Sequence, residues 1–335
     1  MGALIVRRVL WMLLVVVVVS AITFVLMHTV PGGPFDSEKK LPVHIMRNLE
    51  RKYNLDQPVV QQYIQYLADI ALPHISTGET ERSTMSDFLI NISLGGETYL
   101  RWMNFGPSYA SRNRTVNDIF RDQLPISATL GVLALSFGVV LGVPLGILAG
   151  LNRNTSIDYA SMAIAIVGVS VPTIVMGPIL IWLFGVQLRW LPPSGWGTVE
   201  QAIMPAIALG SGSSALLARL TRASLLQVLG EDYITTARAK GLAERVVVGL
   251  HALKNALIPV ITVLGPMFAA LVTGTFVTEI IFGIPGMGRY FITSITNRDY
   301  PVIMGTILLY AVFLVVANMI VDITYAWLDP RIRFT

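Results

Sequence analysis

Behind Arg7 and Arg8 the chain reads as one apolar run from Val9 to Met27, long enough at 1.5 Å per residue to cross about 30 Å of hydrocarbon. Five further runs follow, at roughly 126–151, 159–188, 203–226, 257–282 and 302–328, and the pattern predicts six membrane-spanning helices. The first run ends in HTVPGGP with no small-residue cleavage site, so a retained helix is expected rather than a signal peptide. The sequence thus divides into 1–30, the N-terminal end and first helix; 31–123, one polar region; and 124–335, a five-helix core.

Basic residues set the expected orientation. Arg7, Arg8, Arg153, the polar stretch 229–258 and the tail with Arg331 and Arg333 fall on one side, while the short opposite connections carry only Arg189, Arg289 and Arg298. Both termini and the stretch 229–258 are therefore expected in the cytoplasm, and 31–123 outside it. Within 31–123, helical spacing recurs at 42–53 and 58–72, and 73–109, rich in Gly, Ser, Thr and Asn, reads as an irregular excursion or a small hairpin. Pro144, Pro172, Pro178, Pro205, Pro259 and Pro266 lie in or at the ends of spans, where each removes a backbone hydrogen bond and bends are expected.

Composition agrees with a membrane protein: 54% of residues are hydrophobic and 13% charged. The modest positive charge sits beside apolar runs rather than on one face, which argues against nucleic acid as a partner. The chain has no cysteine, its four histidines are scattered, and there is no GxxxxGK[ST] phosphate loop. No catalytic residue, metal site or cofactor is expected in this chain.

The stretch EDYITTARAKGLAERVVVGLHALKNALIP is far longer than a reconnecting loop requires. Gly241 separates two helix-favouring runs, so a helix, a turn and a second helix are expected, built to dock a partner. Ala237 and Ala239 are small enough for close approach, Arg238 and Lys240 can meet acidic groups, and Gly241 permits a positive φ. Val246, Val247, Val248 and Leu250 form an apolar patch that should pack on the bundle or the partner, the alternative being an interfacial helix on anionic lipid. Ser213, Ser214, Thr262, Thr273 and Thr275, on the spans flanking the loop, are candidates for lining a pathway, although small residues four apart serve helix packing equally well. Glu279 is expected to pair with Arg289 or a backbone group, and Asp322 with Arg219 or Arg222.

TARAKGL followed by HALKNALIPV resembles the cytoplasmic EAA loop of binding-protein-dependent ABC importer permeases, in the version found in the peptide and nickel branch. Thr235 and Thr236 stand where Glu and Ala are usual, and Ala237 and Gly241 match. VPGGPF, GVSVPTI, WLPPSGW, EIIFGIPGMGRY, NRDYP and VDITYAWLDPRIR follow in the order seen in permeases of the OppB/DppB type. The resemblance implies an all-α polytopic membrane protein with six transmembrane helices, the type I ABC importer permease fold, and a long extracytoplasmic insertion between helices 1 and 2. It implies one half of a peptide pathway in a bacterial cytoplasmic membrane, paired with a second permease of the OppC/DppC type. Two ABC ATPases holding ATP and Mg, an extracytoplasmic peptide-binding protein and the lipid bilayer complete the expected partners. Residues Thr235 to Gly241 become the expected ATPase-coupling segment.

Three rival readings differ in class. An ion-driven secondary transporter should show two related halves and a mid-membrane acidic pair, which this sequence lacks. An intramembrane enzyme using GSGSS would need His251 as base, yet His251 falls in the cytoplasmic stretch. A nickel or other small-solute permease of the same branch stays open on sequence.

Overall fold

The structure is a computed structural model that describes residues 2–35, 42–77, 87–96, 98–111, 113–273 and 275–328. Apolar periodicity and tolerance of Pro in lipid make it helical throughout its spans. In chain order it contains α1 (Gly2–Thr29), α2 (Val43–Lys52), α3 (Val59–Ala71), β1 (His74–Thr77), β2 (Ile90–Gly95), β3 (Thr98–Trp102), α4 (Val116–Leu151), α5 (Ser156–Ser170), α6 (Thr173–Leu180) and α7 (Val199–Leu229). There follow α8 (Asp232–Ala239), α9 (Glu244–Val246), α10 (Leu253–Ala256), α11 (Ile258–Val272), α12 (Phe276–Ile281), α13 (Gly288–Thr296) and α14 (Tyr300–Leu328).

Among the described residues four helices are long and apolar enough to span by themselves, α1, α4, α7 and α14, and the number is six if each of two bent pairs counts as one span. One pair is α5 with α6 and its π-helical extension to Gln187, folded by 101° at Val171 and Pro172. The other runs from Glu244 through α10 into α11, bent by 45°. Of the six prolines singled out, Pro172 and Pro259 stand at these breaks, while Pro144, Pro178, Pro205 and Pro266 sit inside helices. A proline therefore bends a span here only where no neighbouring turn continues the ladder.

Two departures from the sequence expectation concern the polar region. First, α4 begins at Val116 and runs unbroken through Pro125, because hydropathy does not register a polar opening turn: Thr115 caps it by exchanging bonds with Asp118 at 2.9 and 3.1 Å. Second, the excursion holds a three-stranded antiparallel sheet in the order β1-β3-β2, with residues 78–86 outside the described residues.

Contacts divide the chain into two packed units, described separately. The unit of residues 5–125 and 286–312 has a core of Phe105, Val116, Ile119, Phe120, Met287 and Val302. In it the NRDYP stretch finds its physical reason, since buried Asp299 accepts from Ser108 Oγ (2.5 Å) and from the backbone N–H groups of Tyr109 (3.0 Å) and Ala110 (3.2 Å). Three donors satisfy a carboxylate that would otherwise be costly to bury.

In the unit of residues 126–285 and 313–335, α4 and α7 approach through glycines. Gly138, Gly142, Gly146 and Gly150 recur every four residues along one buried face of α4. A Cβ at Gly142 would stand 2.9 Å from Ser214 Cα, one at Gly146 would stand 2.6 Å from Thr221 Cβ, and Gly210 of α7 fits against the Ala134 carbonyl in return. Small residues let the two backbones come close enough for packing to hold them without a hydrophobic force. Accordingly Gly142→Val should lower stability by about 1–3 kcal/mol, the usual penalty of overpacking, read as a fall in Tm and in monodisperse yield in detergent. Gly212→Ala, whose Cβ would meet nothing within 4 Å, should leave both unchanged.

Candidate functional site: a helix–turn–helix on the polar end of the bundle

The long polar stretch folds as its sequence predicts. α7 stops at Leu229, Gly230 and Glu231 turn the chain, and α8 follows at once. α8 ends in a left-handed residue: Gly241 has φ +75, its N–H bonds the Arg238 carbonyl at 2.9 Å, and the Leu242 N–H reaches back to the Ala237 carbonyl at 3.4 Å. These two bonds make a Schellman motif, which needs a residue without Cβ strain at its left-handed position. The second arm then runs through α9, a π-helical turn at Val247–Ala252, and α10.

One face of this hairpin is anchored. Ile234, Ala237, Val247, Ala252 and Ala256 are buried together with Leu225 of α7, and Ile147 of α4 packs against them. Asn255 Nδ2 donates to Tyr233 Oη at 2.8 Å, tying the second arm to the first. Thr235, Thr236, Arg238, Ala239, Lys240 and Gly241 are all exposed, so six of the seven predicted coupling residues share the outer surface. Ala237 does not; it is 7% exposed and faces the bundle. The predicted apolar patch divides likewise, with Val247 fully buried, Val246 and Val248 half-buried, and Leu250 left 70% exposed.

Sequence reasoning missed where the charge of Arg238 goes. Its Nη2 and Nε donate to Glu244 at 2.7 and 3.2 Å, across the Gly241 turn. The guanidinium holds the Glu244 carboxyl below the usual glutamate range. Because the two side chains are 43% and 59% exposed, the pair shapes the turn more than it stabilises it. Lys240 and Arg245, both exposed beside this turn, form no ion pair among the described residues and are available to an outside group. The signal in the sequence was Glu244 itself, three residues past the glycine.

A second ion pair braces the helix that feeds the hairpin. Arg222 of α7 grips Asp158 of α5 through two bonds of 2.7 Å, and the Asn154 N–H donates to the same carboxylate at 2.9 Å. Asp158 is 1% exposed. Arg222 therefore serves Asp158, and the side chain of Asp322, for which it was a candidate partner, lies outside the described residues, as do Arg331 and Arg333.

The five predicted pathway residues have mostly local duties. Ser214 is buried and donates to the Ser211 carbonyl (2.9 Å), Thr262 is exposed and donates to Ile258 (3.0 Å), and half-buried Thr273 donates to Ala269 (3.0 Å). Ser213 is half-buried, and a Cβ at Gly138 would stand 2.9 Å from its own Cβ, so both serines belong to the α4–α7 contact. Thr275, at the start of α12, keeps a buried hydroxyl with no hydrogen-bond partner among the described residues; Gly274 lies outside them. Close by, Glu279 is 1% exposed and accepts from Ser127 Oγ of α4 at 2.7 Å. Ser127 is thus one partner of Glu279, and Arg289 stands over the Tyr290 ring at 5.1 Å.

Removing Arg222 would leave the Asp158 carboxylate without its cation. Arg222→Ala should lower the Tm in detergent, and Asp158→Asn added to it should recover most of that loss, checked by thermal unfolding.

Comparison with known proteins places this geometry. Residues 142–334 match the family model described as binding-protein-dependent transport system inner membrane component, and residues 1–131 match the model of the N-terminal part of such components. The chain is 41% identical over 318 residues to the dipeptide transport system permease protein DppB of Bacillus subtilis, covering 95% of this chain and 94% of that one. It is 38% identical over 330 residues to the oligopeptide transport system permease protein OppB of Haemophilus influenzae, covering 98% of each. Among solved structures, a chain of the inward-facing MetNI methionine ABC transporter aligns with a TM-score of 0.52 at 19% identity, over 63% of this chain and 96% of that one. That likeness bears on the fold, which is the type I ABC importer permease fold in a mostly helical polytopic membrane protein; the expected all-α class gives way only at the small β1-β3-β2 sheet. With both family models matched along nearly the whole length, the chain belongs to the binding-protein-dependent transport system inner membrane components, the permease subunits of ABC importers.

Proposed function

We propose that this chain forms one half of the pathway of an ATP-driven peptide importer. Family membership implies ATPase and binding-protein partners; the finer assignment is a second permease of the OppC/DppC type, two ABC ATPases and an extracytoplasmic peptide-binding protein. Relatives named for dipeptide and oligopeptide transport at 37–41% identity support peptides as cargo. ATP and Mg then belong to the ATPases. Both termini and the α8–α10 hairpin face the cytoplasm of a bacterium, as the distribution of basic residues favours.

The observation that carries the reading is the hairpin itself. It is a short rigid strut whose inner face is locked to α7 and α4 and whose outer face presents Thr235, Thr236, Arg238, Ala239, Lys240 and Gly241. Closure of the ATPases pushes on that face, and the push reaches α7 without slack because Ile234 and Ala237 are packed under Leu225. Thr235 stands where acidic residues are usual, so Lys240 supplies the charge that an acidic groove on the ATPase would meet. Ser213, Ser214, Thr262, Thr273 and Thr275 flank the moving spans, and of these Thr275, with its unspent hydroxyl at the start of α12, is the one best placed to meet cargo.

Gly241→Val tests the coupling. A β-branched residue at φ +75 is strained by about 1–2 kcal/mol or more, which distorts the turn while leaving the anchored face intact. In proteoliposomes holding the whole importer, the variant should retain ATP hydrolysis and lose most peptide uptake; uptake at the parental rate per ATP would count against the reading. Lys240→Glu should weaken co-purification of the ATPases and leave membrane insertion unchanged, measured by pull-down at two salt concentrations.

A further inference from the structure

The sheet in the outer region exposes large apolar side chains. Ile90 pairs with Trp102, and Ile75 and Ile92 both pair with Leu100, which puts these residues on one face, while Leu94 sits in the bulge between Ser93 and Gly95. Ile75 is 69% exposed, Ile92 49% and Leu94 56%. The other face buries Arg101, 3% exposed, and leaves the short polar side chains of Asn91 and Ser93 exposed.

Helix α3, whose last residue Ala71 accepts from the Trp102 indole at 3.1 Å, continues the surface. Its inner side carries Tyr63 and Tyr66, yet Val60 and Ile64, one turn apart, are 70% and 61% exposed. A helix with apolar residues both inward and outward belongs in a core or in lipid. Gln61 and Gln65 fall on the side away from Tyr63, which gives the helix a separate wet face.

The depth of α3 identifies what covers the apolar surface. Tyr63 Oη lies 2.8 Å from Ser20 Oγ and donates to the Val17 carbonyl at 3.1 Å. Ser20 is seven residues inside the end of the apolar run at Met27, about 10 Å along the helix axis. α3 is therefore held against a membrane-spanning helix below its polar end. Ile22 and Leu26 of α1, 54% and 59% exposed, continue the lipid-facing side there.

We infer that α3 and the apolar face of the β1-β3-β2 sheet rest in the outer leaflet of the membrane, with acyl chains as their partner. Among the described residues β1 and β2 are the outer strands of the sheet, and open strand edges do not occur within hydrocarbon. The sheet therefore lies at the headgroup level with Ile75 and Ile92 turned down and Trp102 at the boundary, where amphipathic rings collect. The insertion acts as a ski that fixes the first helix relative to the bilayer surface, and its apolar exposure ceases to be a liability.

This chain has no cysteine, so in an importer whose other subunits are made cysteine-free a single introduced cysteine carries a unique label. Nitroxide labels at Ile64→Cys and Ile92→Cys, with Val60→Cys and Ile75→Cys as second positions on the same surfaces, are placed in that assembled importer in nanodiscs of phosphatidylcholine and phosphatidylglycerol. Only variants that still import are read. Collision with dissolved oxygen should exceed collision with a water-soluble nickel chelate several-fold at these sites, and the reverse should hold at Arg47→Cys on α2. Free collision with the chelate at Ile64 and Ile92 would overturn the inference in favour of a water-exposed face. Low collision with both reagents would overturn it in favour of a docked protein.

Discussion

The architecture of the core depends on one close approach, the buried face of glycines on α4 lying against α7. In lipid, apolar side chains gain nothing by touching one another rather than acyl chains, so helices must be held by shape. Glycines every four residues supply that shape, and Gly168 of α5 repeats the device against the Ser211 carbonyl, at 2.6 Å for an added Cβ. α7 is thereby seated between two helices. It is also the helix that leads directly into the polar hairpin, so whatever moves the hairpin moves the centre of this packed layer.

Polar groups inside the bundle act as braces rather than as chemistry. Asp158 with Arg222, and Glu279 with Ser127, each tie a helix to a neighbour at a point where the chain bends or breaks. Burial makes these bonds demanding, because either partner alone would be costly. None of this requires a reaction, and it suits a subunit whose work is to change shape while other polypeptides hydrolyse ATP and deliver cargo.

The long apolar helices, the two short helices between α1 and the sheet, and the helix–turn–helix were readable in the sequence, because apolar period and an isolated glycine are local signals. Gly241 in particular announced a left-handed turn, and the turn is there. Pairings over distance were not readable. Arg222 and Asp158 are 64 residues apart, and nothing in either stretch ranks one partner over another. Arg238 reads in the sequence as a cation able to meet acidic partner groups, because Glu244 comes within reach only once the Schellman turn reverses the chain. Ser213 and Ser214 looked equally like pathway and packing until Gly138 and Gly142 appeared opposite them. The alternation in 90–94 was short, and a strand's direction of facing depends on a membrane that the sequence does not carry.

The central claim is that the outer face of the hairpin is where ATPase motion enters this chain. A photo-crosslinking residue at Lys240, compared with one at exposed Tyr310 of α14, tests it most directly in the assembled importer. The account predicts an adduct from position 240 to an ATPase subunit, changing in yield between nucleotide-free and ATP-bound states, and none from position 310. Adducts from position 240 to lipid alone, in both states, would contradict it.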